Sequence, residues 1–391
     1  MTNIPASSST PNLIQQPDQG RRSEKQSRKI RDLFTSAVSH GLLIFVGMFF
    51  AVPFLWMLLT AFKSDQDVFH SPPRWLPYDN VRVDVNGEQL ALYNVKTETG
   101  MKELALIKII EGVGTFVDPT QPEKIIEYEI QQGAQRIAEP IMEISFRWQN
   151  FPDAMNRGSR PGVGASFWVY FKNSLIIAFF SIIGTLVSNA PVAYAFARIK
   201  FPGRDILFVI ILATMMLPFQ VTMITIYLLF NDTRGWGDTF LPLIIPTFFA
   251  NAWDVFLLRQ FLRTIPEEMC DAARVDGASE WQIFSQIVLP LSTPVLATVT
   301  VFTFLWAWND FTGPLLFLNS PRNFTMALGL QDFQGQKTIV WNQLMAAATV
   351  FTIPIIIAFF FAQKTFIQGI KLTERINNPN STLEHSTHDH L

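Results

Sequence analysis

The chain has 391 residues, 49% of them hydrophobic and only 16% charged, with 36 phenylalanines and a formal net charge of −2. So apolar a composition, gathered in blocks, excludes an ordinary soluble domain, and the near-neutral charge argues against a nucleic-acid partner. No basic tract is interleaved with aromatics as single-strand binding requires, and the lone Cys270 excludes an internal disulfide.

Residues before 30 are rich in Ser, Gln and Pro and read as disordered. The cationic Arg21, Arg22, Lys25, Arg28, Lys29 and Arg31 make 1–35 a cytoplasmic, basic N-terminus by the positive-inside rule. A first membrane helix is expected over 36–62, with its apolar run at 39–62. It is too long for a signal peptide and lacks a small-residue cleavage site, so it reads as retained.

Residues 63–166 form a loop too long to lack structure of its own. Val81, Val83 and Val85 alternate with polar residues, Asn86-Gly87 is a hairpin turn, and Leu90 and Leu92 alternate beyond it. Further strand-like runs lie at 104–110, 115–117, 125–130 and 141–146. A β-rich domain outside the membrane is expected.

Spans two and three are expected at 168–194 and 206–230, with Pro218 kinking the latter. Arg198, Lys200 and Arg204 crowd the loop between them and place it in the cytosol. The 231–239 loop has only Arg234 against Asp232 and Asp238, so it faces outward. Span four follows at 240–262.

The next segment is polar and helix-forming. Pro266 suits the first helical position, Glu267 and Glu268 suit the positive end of the dipole, and Gly277 suits a left-handed close, giving a helix of about three turns. Its apolar side, Met269, Ala272 and Ala273, is too small to anchor it in lipid and suits a protein partner. Ser279 and Gln282 make a capping box for a second helix carrying Trp281, Phe284 and Val288 before Pro290 ends it. On pattern alone, a docking surface and an ordinary amphipathic interfacial pair both fit. Cys270, within this loop, reads as a small packing residue.

Spans five and six are expected at 293–318 and 345–367, joined by an outward 319–344 loop with only Arg322 and Lys337. The polar tail after Asn377 carries His385, His388 and His390, which read as solvated rather than metal-binding. Asn189, Gln220, Asn251, Asp254, Asn309 and Asp310 are polar residues within or beside the spans, costly there unless they face protein or water. Asn251, Asp254, Trp308, Asn309 and Asp310 are candidates for a solute pathway or a subunit interface; support of helix packing is the alternative.

The run from Asp271-Ala272-Ala273 through Asp276-Gly277 to Leu289-Pro290 resembles the cytoplasmic coupling loop of ABC importer permeases, with Asp271 where Glu is commoner. Further matches to the carbohydrate-uptake type, which includes the second maltose permease, are Phe62-Lys63-Ser64, Pro72 to Pro77, and Asn173-Ser174-Leu175. Ala193 to Arg198, Phe201 to Arg204, Met216-Leu217-Pro218, Leu257 to Phe261, and Trp308 to Phe311 continue the series. The family's short link between the Trp75-Leu76-Pro77 region and Trp148 to Phe151 is expanded here by the β-rich insertion, and the tail after Gly369 departs from the usual pattern.

The resemblance implies an all-α polytopic fold, in agreement with the six helices counted from the apolar runs; the β-rich insertion between helices 1 and 2 is read from the residues alone. The resemblance places a permease core at 167–370, a coupling loop at 265–290 and a cytoplasmic tail at 371–391. It assigns coupling to an ATPase to Glu268, Asp271, Ala272, Ala273, Asp276, Gly277 and Pro290. It implies a second permease subunit, two ATPase subunits that bind ATP and magnesium, an extracytoplasmic solute-binding protein and a sugar substrate, in a bacterial plasma membrane with both termini cytoplasmic. The chain itself is expected to bind no cofactor and no metal and to be no enzyme. It has no phosphate-binding Gly-x-x-x-x-Gly-Lys-Ser/Thr loop; the nearest string, Gly335-Gln336-Lys337-Thr338, has the wrong residue before its lysine. The competing reading is an ion-coupled carrier or channel using Asp254 or Asp310, with a membrane enzyme or a sensory protein behind it.

Overall fold

A computed structural model describes residues 19–97, 100–132, 135–157, 165–334 and 339–377. The chain divides into two units, Met1–Trp56 and Met57–Leu391. The histidine tail and the Gly335–Thr338 string lie outside the described residues.

The described residues of the first unit belong to one helix, α1, which runs Gln19–Ala61 and ends in the second unit. Residues 19–35, expected as a disordered lead-in, are therefore helical, because nothing between Gly20 and Pro53 breaks the helix. Phe45, Phe49 and Phe50 are exposed along it, as a lipid-facing surface requires.

In the second unit, the chain leaving Lys63 builds the insertion. Among the described residues ten strands follow: β1 (Tyr78–Asn80), β2 (Arg82–Val85), β3 (Glu88–Thr97), β4 (Gly100–Ile110), β5 (Val113–Asp118), β6 (Gln121–Glu129), β7 (Gln131–Gln132), β8 (Gln135–Arg136), β9 (Ala138–Pro140) and β10 (Met142–Ile144). β2 to β6 form an antiparallel meander, β9 pairs with β3, and β1 pairs with β10. Asn86 (φ 56°) and Gly87 (φ 88°) close the β2–β3 hairpin as the sequence predicts, and Glu111 (φ 49°) and Gly112 (φ 85°) close β4–β5 in the same way. Val95, Leu104, Phe116 and Ala138 form a core on one face; Val85, Ala105 and Val117 form a second cluster.

The insertion joins the rest at a narrow neck. Tyr78 lies opposite Ile144, and Arg147 pairs with Asp79 at 2.7 Å. The buried Asn150 amide donates to the carbonyls of Ala61 (2.8 Å) and Lys63 (2.9 Å), while Asn342 donates to that of Lys63 (3.1 Å). Entry and exit are thus tied side by side.

Among the further helices are α2 (Asn150–Arg157), α3 (Phe167–Arg198), α4 (Arg204–Thr214), α5 (Phe219–Leu228), α6 (Ala252–Leu262), α7 (Glu267–Val275), α8 (Thr293–Asn309) and α9 (Trp341–Asn377). Among the described residues, four helical stretches are long and apolar enough to cross a membrane: Arg31–Ala61, Phe167–Arg198, Leu241–Leu262 and Trp341–Gln363. Two bent pairs could each add one. Arg204–Thr214 meets Phe219–Thr233 at 91°, and Glu280–Leu291 meets Thr293–Asn309 at 76°. The first bend falls at Met215–Pro218, where proline was expected to kink the span.

α3 carries two cores, one at each end. Tyr170 and Ile177 pack with Leu243, Phe317, Met326 and Ala346; Ala193, Tyr194 and Phe196 pack with Leu258, Cys270, Ile283, Phe284 and Val288. The polar 266–290 segment is thereby part of the helical core.

Candidate coupling surface and intramembrane cavity

α7 runs Glu267–Val275 with Pro266 as its N-cap, one position earlier than expected, and spans two and a half turns rather than three. Its C-terminus is a complete Schellman motif. Gly277 turns at φ +84°, its N–H donates to the Arg274 carbonyl (3.1 Å), and the Ala278 N–H donates to that of Ala273 (2.9 Å). Ser279 and Gln282 form the reciprocal capping box predicted for the next turn. Beyond it the expected regular helix becomes a π-turn over Ile283–Val288, and Pro290 sits inside the last turn, Leu289–Leu291, instead of ending it.

The predicted apolar side of α7 is divided. Cys270 is fully buried and Ala273 half-buried against the core, whereas Met269, Ala272 and Val275 are exposed, Val275 at 88%. Glu268, Asp271 and Asp276 share that open surface. The outward face is thus a small apolar patch ringed by carboxylates, suited to a protein cleft rather than to lipid.

One network fixes this surface to the membrane helices. Arg274 donates to Asp271 (2.7 Å) and to Glu280 (2.8 Å), and the Tyr194 hydroxyl at the end of α3 donates to Glu280 (2.7 Å). The hydrogen bond from Arg274, then that from Tyr194, holds the Glu280 carboxyl below the usual range. Sequence reasoning missed Glu280, because its partner Tyr194 lies 86 positions away.

Inside the helices, span four is interrupted. The backbone leaves helical form over 249–251, and Asn251 caps α6 by accepting from the Asp254 N–H (2.9 Å). The Asn251 N–H freed by the break donates to the Asn189 side chain (2.9 Å), which in turn donates to the Thr185 carbonyl (2.8 Å). The Asn251 amide also bonds the carboxylate of the buried Asp254. Beside this group opens a cavity of about 540 Å³, lined in part by Asn251, Trp253, Asp254, Phe302 and Trp306. It lies in the size range of small-ligand pockets, roughly 300–1,000 Å³.

The other candidates lie elsewhere. Trp308 is fully buried, stacks between Phe304 and Phe351 and donates to the Phe351 carbonyl (3.1 Å). Asn309 is exposed and donates back to the Leu305 carbonyl; Asp310 accepts from the Gly313 N–H (3.0 Å) and begins the turn after α8. Asn251 and Asp254 are brought together at the cavity, and Trp306 rather than Trp308 joins them.

Residues 189–372 match the family described as binding-protein-dependent transport system inner membrane component. The sn-glycerol-3-phosphate transport system permease protein UgpE of Salmonella choleraesuis is 36% identical over 220 residues, which are 55% of this chain and 77% of that protein. The arabinooligosaccharides transport system permease protein AraQ of Bacillus subtilis is 34% identical over 209 residues, 53% of this chain and 73% of that one. The fold is similar to the crystal structure of a bacterial ABC transporter involved in the import of the acidic polysaccharide alginate, with a TM-score of 0.57 and 18% identity over 86% of this chain and 98% of that chain. The chain belongs to the family of binding-protein-dependent transport system inner membrane components.

Proposed function

We propose that the chain is the membrane-spanning permease subunit of an ATP-driven importer for a sugar or oligosaccharide, and that α7 couples it to a separate ATPase. The observation that carries this reading is the exposed Glu268, Met269, Asp271, Ala272, Val275 surface, closed at Gly277 and tied through Arg274 and Glu280 to Tyr194 of α3. A push on α7 reaches a membrane helix through two hydrogen bonds. The similarity to the arabinooligosaccharides transport permease of Bacillus subtilis supports the carbohydrate class.

In this reading each bent pair is one span, giving six, with both termini and α7 in the cytosol and the β-rich insertion outside. A second permease completes the pathway, two ATPase subunits hold ATP and magnesium, and an extracytoplasmic binding protein delivers solute, with the insertion as a docking element. Asn251 and Asp254, beside Trp306, line the solute route.

Co-purification from membranes tests the assignment, comparing wild type with Asp271→Lys and Gly277→Val. An ATPase retained by wild type, shed by Asp271→Lys and held more weakly by Gly277→Val is the expected result. Solute uptake into reconstituted vesicles that proceeds with no ATPase present overturns it in favour of an ion-coupled carrier built on the buried Asp254.

A further inference from the structure

The strongest unassigned feature is a polar cavity of about 470 Å³ at the ends of α3, α4 and α6, on the face proposed as cytoplasmic. Five cations line it: Arg198, Lys200, Arg204, Arg259 and Arg263. The carboxylates among its lining residues are Asp205 and Glu267, and Asp205 is paired with Arg204 at 3.1 Å. Most of the positive charge therefore has no anion of its own within the cavity wall.

The cations at the back are held in place. Arg198 donates to the Leu262 carbonyl (2.6 Å) and to that of Ile265, and its Nε is buried without a partner. Arg259, 9% exposed, donates to the Phe196 carbonyl (3.2 Å) and lies 3.9 Å over the Phe208 ring. Lys200 and Arg263 stand exposed at the mouth. Gathering like charges at one place is unfavourable unless an anion sits among them. The overall charge of −2 does not oppose this, because the attraction is local.

We propose that this cavity is a binding site for a phosphate-bearing anion, the headgroup of an anionic phospholipid or free phosphate. It lies at the ends of three helices, on the face that the proposed topology makes cytoplasmic, and basic pockets between membrane helices on that face take anionic lipid. Glu267, the first residue of α7, is in the wall, so the occupant lies against the proposed docking helix. The inference depends neither on the transported solute nor on ATPase docking, so either can fail without the other.

The test uses the full-length protein, with whatever subunits co-purify, in a neutral detergent and phosphate-free buffer. Native mass spectra are recorded while phosphatidylglycerol, phosphatidylcholine and, separately, inorganic phosphate are titrated in. One phosphatidylglycerol should bind in preference to phosphatidylcholine. Lys200→Gln combined with Arg263→Gln, both at exposed positions, should weaken it roughly 30-fold, at about 1 kcal/mol per cation and 1.4 kcal/mol per tenfold. Inorganic phosphate that binds alone, is lost in the double variant and displaces the lipid supports the site with the soluble anion as its ligand. If phosphatidylglycerol binds no better than phosphatidylcholine and phosphate does not bind, the proposal is overturned. It is equally overturned if the double variant, with unchanged thermal unfolding, keeps full affinity, or sheds a protein subunit while its lipid binding is unaltered.

Discussion

At Gly277 the backbone turns at φ +84°, and an added Cβ meets nothing within 4 Å. The demand is thus on conformation alone, about 1–2 kcal/mol for an L-residue and more for a β-branched one. Gly277→Val should leave membrane insertion intact and reduce ATP-driven uptake severalfold, measured as solute moved per ATP hydrolysed, with Gly277→Ala intermediate. An unchanged ratio removes the role of the left-handed close. Tyr194→Phe and Glu280→Gln act on one contact, so combined they should cost no more coupling than the larger single effect. Simple additivity would show that they act apart. Asp238 is the clearest pH-sensitive group. Burial acts to raise its pKa, but hydrogen bonds from Ser320, from the Ser320 and Asn319 N–H groups and from Asn323 outweigh burial and bring it from 3.8 to about 2. The stability it gives is fully present above 3.8 and is lost as pH falls towards about 2. Asp238→Asn should lower the thermal unfolding temperature at neutral pH and flatten its acid dependence; an unaltered acid slope would exclude the 238–320 link as its source.

Among the elements, those set by local chemistry were legible in the sequence. Asn86-Gly87 announced its hairpin, Ser279 with Gln282 announced its cap, and Pro218 announced a break that the structure opens to 91°. What stayed hidden depends on partners distant in the chain. Pro246, Asn251 and Asp254 mark a break within 240–262 locally, but the acceptor that satisfies the freed Asn251 N–H is the Asn189 side chain, 62 positions earlier. β9 could not be placed because its partner, β3, lies more than forty residues upstream. The candidate site divides the same way. Gly277 was readable as a left-handed close and Asp271 only through the family resemblance, whereas the exchange of Trp308 for Trp306 at the cavity follows from helix rotation fixed by packing against Phe304 and Phe351. Asn189→Ala leaves the Asn251 N–H without its acceptor inside the helices, at a cost of about 1–3 kcal/mol. Its thermal unfolding temperature should fall, whereas a hydrogen-bond-retaining Asn189→Ser should recover part of the loss; equal losses would assign the effect to packing.

For the molecule as a whole, α3 is the common wall of two cores, and the 266–290 segment shares one of them. Displacing α7 without moving α3 would open that core around the fully buried Cys270 and Ile283, so the two should move as one body. Among the described residues, the clusters of the sheet share no member with the helical cores. Replacing residues 81–141 by a two-residue Asn-Gly turn between Asn80 and Met142, which already lie opposite each other, should preserve expression and insertion. The same variant should alter binding-protein-dependent uptake. Loss of insertion into the membrane would show that the sheet is needed to fold the helices. Because Asn80 and Met142 are cross-strand neighbours, the sixty-one residues between them add nothing to the distance the chain must span. An insertion set between cross-strand neighbours can be exchanged for one of another length or charge without moving the two chain ends that it joins.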